Sequence, residues 1–189
     1  MTDTSTREYQ GVKIPAPGTF SLDPAHTRVG FVARHLMVSK VRGSFNQVSG
    51  KIIVAEDPAD STVEASIVVE SVTTGVEARD NHLRSADFFE AITHPTIEFA
   101  STAVVPKGGN EFVLRGDLTI KDTTVPVELN VEFDGVTVSP YGKEVFGFSA
   151  TGEIDREDFG ITYNMVLEAG GVMIGNKIKL EIEGEAVRD

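Results

Sequence analysis

"KIKLEIEGEAV", residues 177–187, decides the fold class. Ile178, Leu180, Ile182, Gly184 and Ala186 share one phase of a period of two; Lys177, Lys179, Glu181, Glu183 and Glu185 take the other. Successive side chains of a strand point to opposite faces, so this segment is a strand with one dry face and one wet face. Strands of that kind belong to antiparallel sheets wrapped around a single interior.

The alternation recurs throughout the chain. "VFGFSATGEI" (145–154) aligns Phe146, Phe148, Ala150, Gly152 and Ile154, and "VPVELNVEF" (125–133) aligns Val125, Val127, Leu129, Val131 and Phe133. "FVLRGDLTI" (112–120) aligns Phe112, Leu114, Gly116, Leu118 and Ile120, and "TIEFASTAVV" (96–105) aligns Ile97, Phe99, Ala103 and Val105. "VEASIVVES" (63–71) aligns Val63, Ala65, Ile67 and Val69, and "TRVGFVAR" (27–34) aligns Val29, Phe31 and Ala33, with His35 continuing that phase. In "VRGSFNQVSGKIIV" (41–54) the phase slips at Asn46-Gln47, which predicts a tight turn or bulge there. Turn signals such as "EDPADS", "PKGGN", "KDTT" and "FDGVTVSPYGKE" separate about eight such strands, a number at which a sheet can close. A sandwich and a barrel both satisfy the pattern. Small inward residues such as Gly43, Gly116, Ala150 and Gly184 fit either a hollow interior or strongly coiled strands.

Helix signals are few. "VEARDNHLR" (76–84) places Val76 and Leu83 on one face of a short helix, Ser85 is positioned to cap a further turn over "ADFFEAI", and "HLMVSK" (35–40) is a second candidate turn. Residues 1–17 are polar, carry Pro15 and Pro17, and read as a flexible N-terminal tail before a domain at 18–189. They lack the apolar segment and basic start of a secretory signal, so a cytoplasmic protein is expected.

Composition narrows the functions. The net charge is −12, from 29 acids against 17 bases. Such a surface repels phosphate backbones and anionic lipid headgroups, and no nucleic-acid partner is expected. The absence of cysteine removes disulfides, thiol nucleophiles and thiolate metal sites. The four histidines, His26, His35, His82 and His94, show no local ligand spacing, so a metal would have to be gathered in space from His82, His94, Asp80, Asp87 or Glu90. No nucleophile elbow or phosphate-binding loop is present. The densest cluster of polar and aromatic groups is "RDNHLRSADFFEAITHPTIEF" (79–99), which reads either as a reactive site or as a cover over an apolar interior.

Three ordered stretches carry a resemblance. "SLDPAHTRVGFVARHLMVSKVRGSF" (21–45), the 79–99 segment and "IDREDFGI" (154–161) resemble the signatures of the YceI-like polyisoprenoid-binding proteins, with His94 before Pro95 where an aromatic is usual. The resemblance implies an all-β fold: an extended eight-stranded antiparallel lipocalin-like barrel with one or two short helices. It implies a non-enzymatic carrier that holds a long isoprenoid chain, of prenyl diphosphate or quinone type, in an apolar tunnel, with no cofactor and no metal. Residues 79–99 then cover the barrel. The tunnel lining expected is Phe31, Phe45, Ile67, Val69, Phe88, Phe89, Phe99, Leu114, Leu118, Leu129, Phe146, Phe148, Ala150, Leu180 and Ile182. His35, His82 and Arg156 are the polar groups expected at the ligand head, although a strand-end Arg156 more commonly pairs with a neighbouring acid. The partner is an isoprenoid lipid, with room for transient membrane contact and for a homodimer. The competing readings are a hydrolase or isomerase using His82 or His94 with Asp80 or Asp87, and a structural β domain with a filled core.

Overall fold

The structure, a computed structural model, describes residues 6–189. Thirteen strands and one α-helix follow in order: β1 Thr6–Tyr9, β2 Val12–Pro15, β3 Gly18–Leu22, β4 Arg28–His35, β5 Ser39–Phe45, β6 Val48–Val54, β7 Thr62–Val68, β8 Val72–Thr73, α1 Glu77–Arg84, β9 Thr96–Gly108, β10 Glu111–Ile120, β11 Thr123–Val138, β12 Glu144–Asp155 and β13 Ile174–Arg188.

All pairings are antiparallel, and eight strands close a ring in the order β12-β11-β10-β9-β7-β6-β3-β13, with β13 returning to β12. The closing seam pairs Ala150 with Ile182 and Phe148 with Gly184. β13 is long enough for two neighbours on its other side. Its C-terminal end pairs with β3 through Ala186–Leu22, and the rest pairs with β4 through Leu180–Phe31. The β4–β5 hairpin therefore extends the wall beyond the short β3 and β6, lengthening the barrel at one end. The phase slip at Asn46-Gln47 is the connection between β5 and β6, held by Ser71, whose carbonyl and hydroxyl accept from Asn46 N.

Glycines on the inner face do not simply enlarge the interior. Gly43, Gly116 and Gly184 each seat a neighbouring phenylalanine ring against the wall. A Cβ at Gly43 would lie 2.3 Å from Phe31 Cζ, at Gly116 2.4 Å from Phe99 Cζ, and at Gly184 2.4 Å from Phe148 Cζ. The strand coils where it lacks a side chain, and the ring opposite fills the place.

The interior has two apolar ends. One cluster joins Phe20, Phe133, Phe146, Ala186 and Ile14. The other joins Phe45, Val72, Phe88, Ile97, Leu118 and Phe159, with Leu83, Phe89 and Tyr163 packed on it.

Four expectations are corrected. Residues 6–15 are not a flexible tail: β1 and β2 form a hairpin, turned at Gln10-Gly11, that lays Ile14 into the first cluster. Arg7 fixes it by donating to the carbonyls of Ala55 and Glu56. Residues 1–5 of the expected tail lie outside the described residues. "HLMVSK" is the β4–β5 hairpin turn, with Leu36 and Met37 both at positive φ, rather than a helical turn. α1 forms where expected, but "ADFFEAI" winds into tight turns, with Phe88 N and Glu90 N both donating to Ser85 O. In β9 a bulge between Ser101 and Ala103 shifts the phase, so Val104 reaches the interior in place of Ala103 and Val105.

Candidate binding cavity

Between the two apolar clusters lies a cavity of about 490 Å³, within the usual range of ligand sites, roughly 300–1,000 Å³. Its apolar lining comes from every wall of the barrel: Phe31, Phe45, Ile67, Phe88, Phe89, Phe99, Leu114, Leu118, Leu129, Phe146, Phe148, Ala150, Leu180 and Ile182 all border it. Among the sequence-derived lining residues Val69 does not. β7 ends at Val68, and a 3-10 turn carries Val69 into the packed wall, where it is fully buried and donates its N–H to Pro95 O at 2.9 Å.

The polar lining is concentrated at the end away from the hairpin. It includes Arg34, His35, Arg79, His82 and Arg156, and no Asp or Glu among the described residues. An acid-free lining inside a chain of net charge −12 keeps the carboxylates out of the cavity; the two that are buried among the described residues, Asp80 and Glu144, are hydrogen-bonded to Thr74 and Arg188. Arg34 is the one exposed residue among the described lining, so the void meets the surface beside the β4–β5 turn.

The cover forms as the sequence suggests. α1 stands on Asp80, a buried carboxylate that accepts from Thr74 N at 2.7 Å and Thr74 Oγ1 at 2.6 Å. Burial pushes this carboxyl up, but hydrogen bonds from Thr74 and Thr73 and the charge of Arg84 outweigh it and hold it below the ordinary range. Arg79 donates to Thr74 Oγ1 and O, and Arg84 to Glu70 O and Val72 O, tying the helix to the chain leading into it. His82 is wedged edge-on between Phe88 and Tyr163, with ring centroids 5.0 and 4.9 Å away, and its Nε2 meets Asp87 Oδ2 at 2.8 Å. Ser85 Oγ donates to His82 O rather than to the ring.

Arg156 departs from both sequence readings. It pairs with no carboxylate, and its guanidinium is committed rather than held open for a ligand head. It donates to the carbonyls of Ile161, Tyr163 and Gly175 at 2.9, 2.8 and 3.1 Å, with longer contacts to Ile174 O and Asn176 Oδ1. Burial lowers its pKa, and the charges of Glu157 and Asp155 offset part of that. His35 faces the cavity and makes no side-chain hydrogen bond among the described residues. Of the three head-group residues expected, His35 is thus unengaged, His82 has one nitrogen committed, and Arg156 is spent on the backbone.

The residues weighed as metal ligands do not gather in threes. Among the described residues the group that does is Asp23, His26 and Glu185, on the outer rim, where His26 Nδ1 is already paired with Asp23 Oδ2 at 2.8 Å. Sequence reasoning missed Arg34 and Arg79 as lining residues, because neither sits on the apolar phase of a strand.

Comparison with known proteins agrees with this architecture. The YceI-like domain model matches residues 20–186. A UPF0312 protein of Staphylococcus aureus strain MSSA476 is 45% identical over 170 residues, covering 88% of this chain and 95% of that protein. The Campylobacter jejuni YceI protein is 32% identical, with a TM-score of 0.69 over 82% of this chain and 90% of that one. Burkholderia cenocepacia BcnA superposes with a TM-score of 0.76 at 21% identity, over 87% and 98% of the two chains. A polyisoprenoid binding domain from Saccharophagus degradans superposes at 0.66 with 15% identity, over 92% and 100%. The last two are likenesses of fold.

Proposed function

We propose, from the premise that this chain belongs to the YceI-like domain family, that it is a non-enzymatic carrier of one long isoprenoid chain held inside the barrel. The observation that carries the reading is the acid-free, aromatic-lined cavity of about 490 Å³ inside the barrel. Each methylene moved from water into such a lining gains roughly 0.8 kcal/mol, so a flexible hydrocarbon is held without directional chemistry. An amphiphile would lie with its tail toward Phe133 and Phe146 and its head near His35, Arg34 and His82, where the polar lining collects. The Saccharophagus degradans neighbour, described as a polyisoprenoid binding domain, supports the choice of isoprenoid among apolar chains. The His82–Asp87 pair is read as fixing the imidazole against Phe88 and Tyr163, because Ser85, the serine beside it, is directed elsewhere.

The test is native mass spectrometry with lipid extraction of the protein purified from its own host. A co-purifying prenyl lipid at up to one per chain is the expected result. A chain that carries no lipid and fails to retain a fluorescent prenyl probe rejects the carrier and leaves the structural reading; turnover of an ester library lost in His82→Ala would favour the hydrolase.

A further inference from the structure

The turn between β4 and β5 breaks a local rule. Six non-glycine residues have positive φ: Gln10, Leu36, Met37, Glu90, Lys121 and Asp122. Four are polar, as expected where the left-handed region favours Asn, Asp and Gly. The two apolar ones, Leu36 and Met37, are adjacent, at the tip of one hairpin. They are also exposed, and Val38 after them is 82% exposed. A second exposed apolar pair, Met165 and Val166, lies beside them, Val166 at 84%. The two loops are joined: Leu36 N donates to Met173 O at 2.8 Å, and Met173 N to Met165 O at 2.9 Å. Directly behind the tip Arg34 and Lys40 face each other across the hairpin. Like charges set opposite repel, and neither has an ion-pair partner among the described residues despite 29 acids in the chain.

We propose that this tip docks the barrel on an anionic phospholipid bilayer, with Met37, Val38, Met165 and Val166 dipping into the headgroup boundary and Arg34 and Lys40 meeting lipid phosphates. The inference rests on the carrier reading for its purpose, since Arg34, His35 and Met173 join the tip to the cavity where it reaches the surface. A ligand would then pass between bilayer and barrel without crossing water. Local charge selects the bilayer over a second copy of this chain: the net charge of −12 repels anionic headgroups from the molecule as a whole, so only the face carrying Arg34 and Lys40 can approach them, and a two-fold contact through the tip would set the Arg34–Lys40 pairs of two copies against each other. Shallow insertion of a few apolar side chains beside basic ones suits reversible binding, because each basic residue adds modestly to attraction by an anionic surface.

The experiment is flotation of the full chain with vesicles of phosphatidylcholine alone, and with about 30% phosphatidylglycerol added to supply surface charge. The expected result is flotation with the anionic vesicles only. It should weaken roughly tenfold or more in Val38→Ser/Val166→Ser and several-fold in Lys40→Ala, and fall with salt. Circular dichroism and a melt confirm that the variants fold. Retention of a fluorescent prenyl probe added from solution is read in parallel, and Val38→Ser/Val166→Ser, which spares the lining, should retain it like the parent. A parent that holds the probe but floats with neither vesicle overturns docking and leaves the carrier. A parent that floats through its tip but holds no probe overturns the carrier and leaves docking. Equal flotation with neutral vesicles, or flotation unchanged by both variants, overturns the assignment. So does a parent dimer that Val38→Ser/Val166→Ser turns monomeric without any flotation, which gives the tip to a second copy.

Discussion

Arg156 is a buried cation whose counterparts are dipoles. Three carbonyls within ordinary hydrogen-bond range, from Ile161, Tyr163 and Gly175, tie the irregular segment after β12 to the start of β13 around one guanidinium. A planar fork with five donors reaches acceptors on two sides at once, which an ammonium does not. Arg156→Lys should therefore cost about 1.5–3 kcal/mol in urea unfolding, with faster amide exchange concentrated in residues 161–176. Stability equal to the parent's would end the account of Arg156 as a staple. The sequence pointed to this arginine for a ligand contact because backbone carbonyls have no sequence signature. His26 offers a pH test at the same scale. Its hydrogen bond to Asp23, with the charges of Asp23 and Glu185, raises its pKa above the ordinary 6.5, and the same bond lowers that of Asp23. A raised folded pKa contributes stability below 6.5 that fades as pH rises through the folded value. The contribution is small at an exposed site, so the measurement is an NMR titration. The His26 midpoint should lie above 6.5 and drop in Asp23→Asn. A midpoint at or below 6.5 in the parent contradicts the pairing.

At the scale of elements, the β1–β2 hairpin closes the end of the barrel away from the polar lining. Its strands are four residues each, too short to persist alone, and their stability comes from what they cover. Ile14 enters the cluster of Phe20, Phe133 and Phe146. Behind it, Arg188 lies over the Phe20 ring at 4.6 Å, pairs with Glu144 at 2.8 Å, and donates to Ala16 O and Pro17 O. Ile14→Ala should thus destabilise the chain by about 2–5 kcal/mol in one cooperative transition. A loss below about 0.5 kcal/mol would mean that the hairpin peels away independently of the barrel. The hairpin was hard to read because its apolar residues are few, Tyr9, Val12, Ile14 and Pro15, and its turn is Gln-Gly rather than the stronger Asn-Gly. The β9 bulge hid for a similar reason: one extra residue leaves local alternation intact on both sides and changes only which phase faces in. Stretches of unbroken register, such as β12 with β13 over Val145–Asp155, were legible because one dry face leaves a single register.

At the scale of the whole molecule, alternation left barrel and sandwich undecided, and the β12–β13 seam decides between them. It also decides what the inner residues do. In a sandwich Ala150 would meet an opposing sheet, whereas here it sits on the seam opposite Ile182 and borders the cavity. Its neighbour across β11 is Val131, which lines the same space. Ala150→Phe therefore projects a ring into open volume. The expected outcome is near-native urea stability together with loss of a bound prenyl probe, because the ring occupies the path of the chain. Were the interior filled, the same ring would overpack it and cost about 1–3 kcal/mol or more. The two quantities must be measured on one preparation, since lost probe binding alone also follows from unfolding. Strong destabilisation in a parent that binds no probe would replace the hollow barrel with a filled one. No change in either quantity would show that the volume beside Ala150 is not the volume the ligand uses, and would move the tail toward the wall of β9 and β10, where Phe99 lies against Gly116.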